Sequence, residues 1–127
     1  MLQAIHHVAL ICTDYERSKA FYTEVLGLVV IRETYRPERQ SYKLDLRLPD
    51  GSQLELFSFP SAPSRPSWPE AAGLRHLAFA VIDLDRTREA LGAKGIAFEE
   101  IRVDALTGHR FCFFSDPDGL PLELYET

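Results

Sequence analysis

The chain has 127 residues, 46% of them hydrophobic and 26% charged, an ordinary composition for one compact globular unit. Its 14 basic and 19 acidic residues leave a net charge of −5 and a pI near 5.3, which argues against a nucleic-acid partner. No apolar run approaches the roughly 20 residues that span a bilayer. The segment Met1-Leu2-Gln3-Ala4-Ile5-His6-His7 lacks the basic region and cleavage site of a signal peptide, so a cytoplasmic protein free of membrane is expected. Cys12 and Cys112 form no CxxC motif and read as buried, reduced thiols.

In chain order, residues 4–12 alternate apolar and other side chains as a strand does. Asp14 offers an N-cap to a helix whose apolar stripe is Ser18, Phe21, Tyr22, Val25 and Leu26, with Gly27 where a left-handed cap belongs. Strands over 28–35 and 42–48 follow, and Pro49-Asp50-Gly51 turns the chain back into a strand over 53–59. This is a βαβββ module over residues 1–59. Residues 60–73 hold four prolines and read as a linker. A second βαβββ module over 74–127 then repeats the order: a strand at 74–82, a helix from Asp85 to Lys94, and strands near 97–103, 109–115 and 120–126. The whole reads as one α+β domain of two paired modules whose mixed sheets curve into a cup, since neither sheet could bury both faces alone.

The repeat carries chemistry. Pro49-Asp50-Gly51-Ser52-Gln53-Leu54-Glu55-Leu56 returns as Pro117-Asp118-Gly119-Leu120-Pro121-Leu122-Glu123-Leu124, and His7 with Asp14 returns as His76 with Asp83. The histidines are 69 positions apart and the glutamates 68, so one offset maps both residues onto their counterparts. Strand side chains alternate between faces, and each of these four lies opposite an aliphatic or aromatic face suited to packing on a helix. A carboxylate in the middle of an apolar strand is costly unless something compensates its charge, and a metal ion would do so for both. His7, Glu55, His76 and Glu123 are therefore the expected ligands of one divalent ion. His6 falls on the helix-facing side by parity, has Arg75 as its counterpart and is not expected to be a ligand; His109 follows a Thr107-Gly108 turn and reads as surface. No cysteine is placed to coordinate, which excludes a Cys-type structural zinc site. Two imidazoles and two carboxylates suit Ni²⁺, Co²⁺ or Zn²⁺, with Mn²⁺ or Fe²⁺ as alternatives, and an octahedral ion would keep two positions for neighbouring substrate oxygens. By the same parity Phe57, Phe59, Phe111, Phe113 and Tyr125 share the ligand face, as do Lys43 and Arg47, which could receive an anionic group.

With those residues in place, the chain resembles the vicinal oxygen chelate superfamily, and within it the glyoxalase I-like branch. The resemblance spans essentially the whole chain and rests on His7 in IHHVALICTDYERSKAFYTEVLGL, Glu55 in PDGSQLELF, His76 in GLRHLAFAV and Glu123 in DPDGLPLELYE. It implies paired βαβββ modules around a divalent ion, commonly in a homodimer, with the site built from two modules of one chain or of two chains. It further implies a lyase or isomerase acting on a small oxygen-chelating carbonyl compound. The ion would stabilise an enediolate while a carboxylate, Glu123 before Glu55, moves a proton between adjacent carbons. Glyoxalase I grips glutathione partly through an asparagine after the first glutamate; this chain has no Asn and carries Phe57 and Phe59 there, which speaks against glutathione. Thiol transferases of the fosfomycin-resistance kind and extradiol dioxygenases use two His and one carboxylate, so a fourth ligand-type residue disfavours both. A metal-free binder of the bleomycin-sequestering kind is the remaining alternative.

Overall fold

The computed structural model describes residues 1–127, which divide into two units, Met1–Ser64 and Arg65–Thr127. The first unit opens with β1 (His7–Cys12), followed by α1 (Tyr15–Ala20), which runs on into a π-helical turn at Phe21–Val25. Strands β2 (Val29–Arg36), β3 (Ser41–Arg47) and β4 (Gln53–Ser58) complete it. They form one four-stranded sheet in the order β1-β4-β3-β2, with β1 parallel to β4 and the other pairs antiparallel. The second unit repeats the plan with β5 (Leu77–Val81), α2 (Leu84–Gly92), β6 (Arg102–Val103), β7 (Arg110–Ser115) and β8 (Pro121–Glu126), in the order β5-β8-β7-β6. No helix is long and apolar enough to cross a membrane.

Each helix starts where the capping argument places it. The Asp14 carboxylate accepts from the Arg17 backbone N–H at 3.2 Å, and that of Asp83 accepts from Arg86 at 2.9 Å. Gly51 and Gly119 take φ of +90° and +80° in the two repeated hairpin turns, a conformation that costs glycine nothing and other residues much. In each unit one face of the sheet supplies the core. Leu44, Leu46, Leu54, Leu56, Leu10 and Cys12 are buried in the first, and Leu122, Leu124, Cys112, Phe114 and Leu84 in the second. A leucine fully buried in this way contributes roughly 1.5–3 kcal/mol. Both cysteines are free and buried, and burial pushes the Cys112 thiol above its ordinary pKa.

Three sequence expectations change. The strand expected over 97–103 is reduced to Arg102–Val103, because upstream of it only the Glu99 N–H reaches β7, at the Phe113 carbonyl (2.9 Å). One hydrogen bond does not make a ladder. The strand expected over 74–82 begins at Leu77, so His76 stands just outside it. His6 likewise precedes β1 and is exposed rather than turned to the helix, since strand parity does not hold outside the paired segment.

Candidate active site: two equivalent histidine–glutamate pairs

Parallel pairing of the first and last strand of each unit sets the histidine near the glutamate. In the first, Ala9 lies opposite Glu55; in the second, Ala78 lies opposite Glu123. The alanines keep the shared face shallow, and the histidine two residues upstream leans over it. His7 Nε2 comes within 3.3 Å of Glu55 Oε2, and His76 Nε2 within 2.9 Å of Glu123 Oε2. Glu55 and Glu123 are only 9% and 7% exposed, so both carboxylates are buried. The histidines remain partly open, at 41% and 32% side-chain exposure. The same two atoms meet in the same register in both units.

The surroundings differ. Asp45 lies directly across from Glu55, and Lys43 Nζ stands 3.4 Å from Asp45 and 3.6 Å from Glu55. Across from Glu123 stands Phe113, whose ring is perpendicular to that of His76 at a centroid distance of 5.2 Å. One glutamate therefore faces a charged pair and the other an aromatic wall. Strand parity puts Asp45 on this face with Lys43 and Arg47, and the register sets it against Glu55. Arg47 pairs in register with Gln53 at the end of the ladder and is exposed, with no carboxylate in ion-pair range.

His6 contributes more than expected. Its Nδ1 lies 2.9 Å from His7 Nδ1, leaving His7 Nε2 to face Glu55. A hydrogen bond at the far nitrogen is what orients an imidazole ligand. The adjacent His-His pair was visible in the sequence, but its geometry was not. His109 is exposed, with its ring 5.7 Å from Tyr125.

The aromatic residues lie where parity puts them. Phe57 and Phe59 stack in the first unit, and Phe111 stacks on Tyr125 and contacts Phe113 in the second. The Tyr125 hydroxyl donates to Asp104 at 2.9 Å. The Leu106 backbone N–H and that hydroxyl hold the Asp104 carboxyl below its ordinary range. Arginines missed from sequence cover the rings: Arg36 lies 5.0 Å from Phe57, Arg39 lies 5.1 Å from Phe59, and Arg102 lies 5.2 Å from Phe111 and 5.3 Å from Phe113. They arrive from loops and outer strands, and nothing in their spacing marks them out. In the second unit a cavity of about 900 Å³ opens beside His76, with Trp68, Phe98 and Phe113 among its walls.

Within either unit no third His, Cys, Asp or Glu joins a pair closely enough to make a metal cluster. Each pair does fit a divalent ion by its chemistry. A buried carboxylate that meets no arginine, with a partly open imidazole nitrogen beside it, supplies one oxygen and one nitrogen donor of the type first-row ions take.

Comparison with known proteins shows the family. Residues 4–124 match the Glyoxalase/Bleomycin resistance protein/Dioxygenase superfamily. The chain is 63% identical to YwkD of Bacillus subtilis (strain 168), over 99% of this chain and 98% of that protein. It is 55% identical to YaeR of Escherichia coli (strain K12), over 98% and 97%. A crystal structure of a glyoxalase family protein from Enterococcus faecalis superposes with a TM-score of 0.91 at 50% identity, over 98% of each chain. More distant relatives differ in their named activities. They include a 2-epi-5-epi-valiolone epimerase of Actinomyces sp (31%; 95% of this chain, 78% of that protein) and a probable lactoylglutathione lyase of Vibrio parahaemolyticus (28%; 96% and 89%). Members of this group commonly bind a divalent ion; FosX of Listeria monocytogenes, a fold neighbour at 20% identity and a TM-score of 0.74, was crystallised with Mn(II). The repeated βαβββ units, the paired histidines and glutamates and the match over residues 4–124 place the chain in the Glyoxalase/Bleomycin resistance protein/Dioxygenase superfamily.

Proposed function

We propose that the chain is a metal-dependent lyase or isomerase of the glyoxalase I kind, acting on a small carbonyl compound with two neighbouring oxygens. His7, Glu55, His76 and Glu123 would be the ligands to a divalent ion, Ni²⁺, Co²⁺ or Zn²⁺ before Mn²⁺ or Fe²⁺. The observation that carries this reading is the repeated Nε2–carboxylate contact, at 3.3 and 2.9 Å, on two buried glutamates in equivalent register. A bound ion would supply Lewis acidity toward the substrate carbonyl, making the adjacent C–H easier to deprotonate.

The residues themselves divide the remaining work. Glu123 is the preferred proton acceptor, because it faces only His76 and the Phe113 ring, whereas Glu55 is already within ion-pair reach of Lys43. The Phe113 ring gives the Glu123 side an apolar wall, and His6 would orient His7. A relative named as an epimerase and one named as a probable lyase support the isomerase or lyase class by analogy within the family. Exposed apolar groups on the ligand face, Ile11 at 61% among them, support a homodimer in which a second copy covers that face.

Elemental analysis of purified wild type beside Glu55→Ala, Glu123→Ala and His6→Ala tests the centre. The reading requires metal to be retained in wild type and His6→Ala and lost from both glutamate variants; equal metal in all four proteins overturns it. An isomerase assay with methylglyoxal and glutathione, repeated with ion restored, then asks about the substrate. No turnover in the metal-loaded protein would direct the search to other vicinal carbonyl compounds.

A further inference from the structure

The cavity beside His76 contains two arginines in opposite situations. Arg75 is already paired, its Nη1 lying 3.7 Å from Glu70. Arg102 is not: its guanidinium lies over Phe111 and Phe113 at 5.2 and 5.3 Å, and no carboxylate of the chain comes within ion-pair distance. Contact with ring faces restrains a guanidinium but uses none of its five N–H donors, which lie in its own plane. A cation prepositioned with its donors free is suited to a carboxylate or phosphate, which it can bind through two parallel hydrogen bonds.

Phe113 links this cation to the glutamate–histidine pair. Its ring stands perpendicular to that of His76 with centroids 5.2 Å apart, and the Arg102 guanidinium lies 5.3 Å from the centre of the same ring. Both His76 and Arg102 line the one cavity of about 900 Å³, with Trp68 and Phe98 supplying flat apolar surface. That volume is ample for a small organic acid.

We infer that Arg102 is a specificity residue that binds the anionic end of the substrate, a carboxylate or phosphate carried about one aromatic ring away from the oxygens facing His76 and Glu123. The inference rests on the oxygen-chelating reading of that pair and narrows its substrate class to anionic carbonyl compounds with a flat apolar body. Glu99, which also lines the cavity, is the opposing charge: it has no ion pair with Arg102 and repels an incoming anion.

The test uses matched chelators on the full-length, metal-loaded protein. Benzohydroxamates offer two vicinal oxygens to an ion and differ only at the opposite end of the ring. 4-Carboxybenzohydroxamate should bind about tenfold more tightly than 4-carbamoylbenzohydroxamate, the gain of one charge-assisted contact of about 1.4 kcal/mol. Arg102→Leu should erase that advantage with metal content at the wild-type level, and Glu99→Gln should enlarge it. A 4-phosphono analogue separates the two sources, since whichever anion gains more is the better match. Equal binding of the carboxy and carbamoyl compounds by wild type, or an advantage that survives Arg102→Leu, overturns the inference. Failure of the metal centre reads out separately. In metal-free protein, 4-carboxybenzamide should still quench the fluorescence of Trp68, the one tryptophan of the chain and part of the cavity wall, in an Arg102-dependent way. Quenching that ignores Arg102, or none, also overturns the anion site.

Discussion

Replacing Glu123 by leucine should make the metal-free protein more stable and at the same time remove its response to metal. Glu123 is 7% exposed, lies between Leu122 and Leu124 at 0% and 3%, and faces Phe113 and Ala78 across the sheet. Its one polar neighbour is His76 Nε2 at 2.9 Å. A carboxylate in such a place loses hydration that one imidazole only partly replaces. Exchanging a whole buried ion pair for apolar groups is neutral or stabilising by about 1–4 kcal/mol, whereas removing one partner destabilises only where the other stays buried, and His76, at 32% side-chain exposure, returns to water. Because His76 offsets part of the cost, the lower half of that range applies, about 1–2 kcal/mol, or roughly 4–8 °C in Tm for a domain of this size. Wild type should instead gain about 2.7 kcal/mol when free metal reaches a hundred times its Kd, and the variant nothing. The order of stability thus inverts between chelator and metal. Urea and thermal unfolding of both proteins, in EDTA and in Ni²⁺ or Zn²⁺, measure this directly. Glu55→Leu is the internal control. It leaves Lys43 and Asp45 with an unmatched polar neighbourhood, so its gain in EDTA should be near zero. If Glu123→Leu is less stable than wild type in EDTA, or if metal stabilises it as much as wild type, the buried-carboxylate argument fails.

Three other outcomes follow from particular contacts. Glu126 accepts from Arg110 at 3.0 and 2.9 Å and from the Leu84 N–H at 2.8 Å, and these bonds, Arg110 first, bring its pKa down from 4.5 to about 2. Its contribution to stability is therefore complete above about pH 4.5 and is lost as pH falls toward 2, so urea midpoints of wild type and Glu126→Gln should converge across that window. Asp83→Ala removes the side-chain cap of α2 and should cost about 1 kcal/mol in urea unfolding; an unchanged midpoint would mean that the cap bond contributes nothing. His6→Ala should retain metal but weaken its affinity by about tenfold in chelator competition, because His7 loses its orienting bond. A loss as complete as that of His7→Ala would make His6 a ligand instead.

Strand parity was enough to read the face that carries both glutamates. Glu55 and Glu123 are buried in otherwise apolar strands, and the aromatic positions 57, 111, 113 and 125 fall beside them, because alternation along a strand is a local property. The Asp caps and Pro-Asp-Gly turns were legible for the same reason. Parity loses its meaning outside the ladder. His6 precedes β1 and is exposed, and of the strand expected over 97–103 only Arg102–Val103 joins the ladder.

The sequence by itself determined the βαβββ repeat, the four metal-ligand-type side chains and the face each occupies, all of which depend on periodicity and on residues close in the chain. Only the tertiary structure decided who stands next to whom. Parallel pairing of β1 with β4 and of β5 with β8 brings each histidine to its glutamate across more than 40 residues of chain, a register that crossing strands choose by packing. It also gives Glu55 a charged neighbour and Glu123 an aromatic one, and it lays Arg36 and Arg102 over rings contributed by other strands. Spacing along a strand names the face of a side chain; its neighbours come from other strands and loops, and their arrival is settled by the fold as a whole.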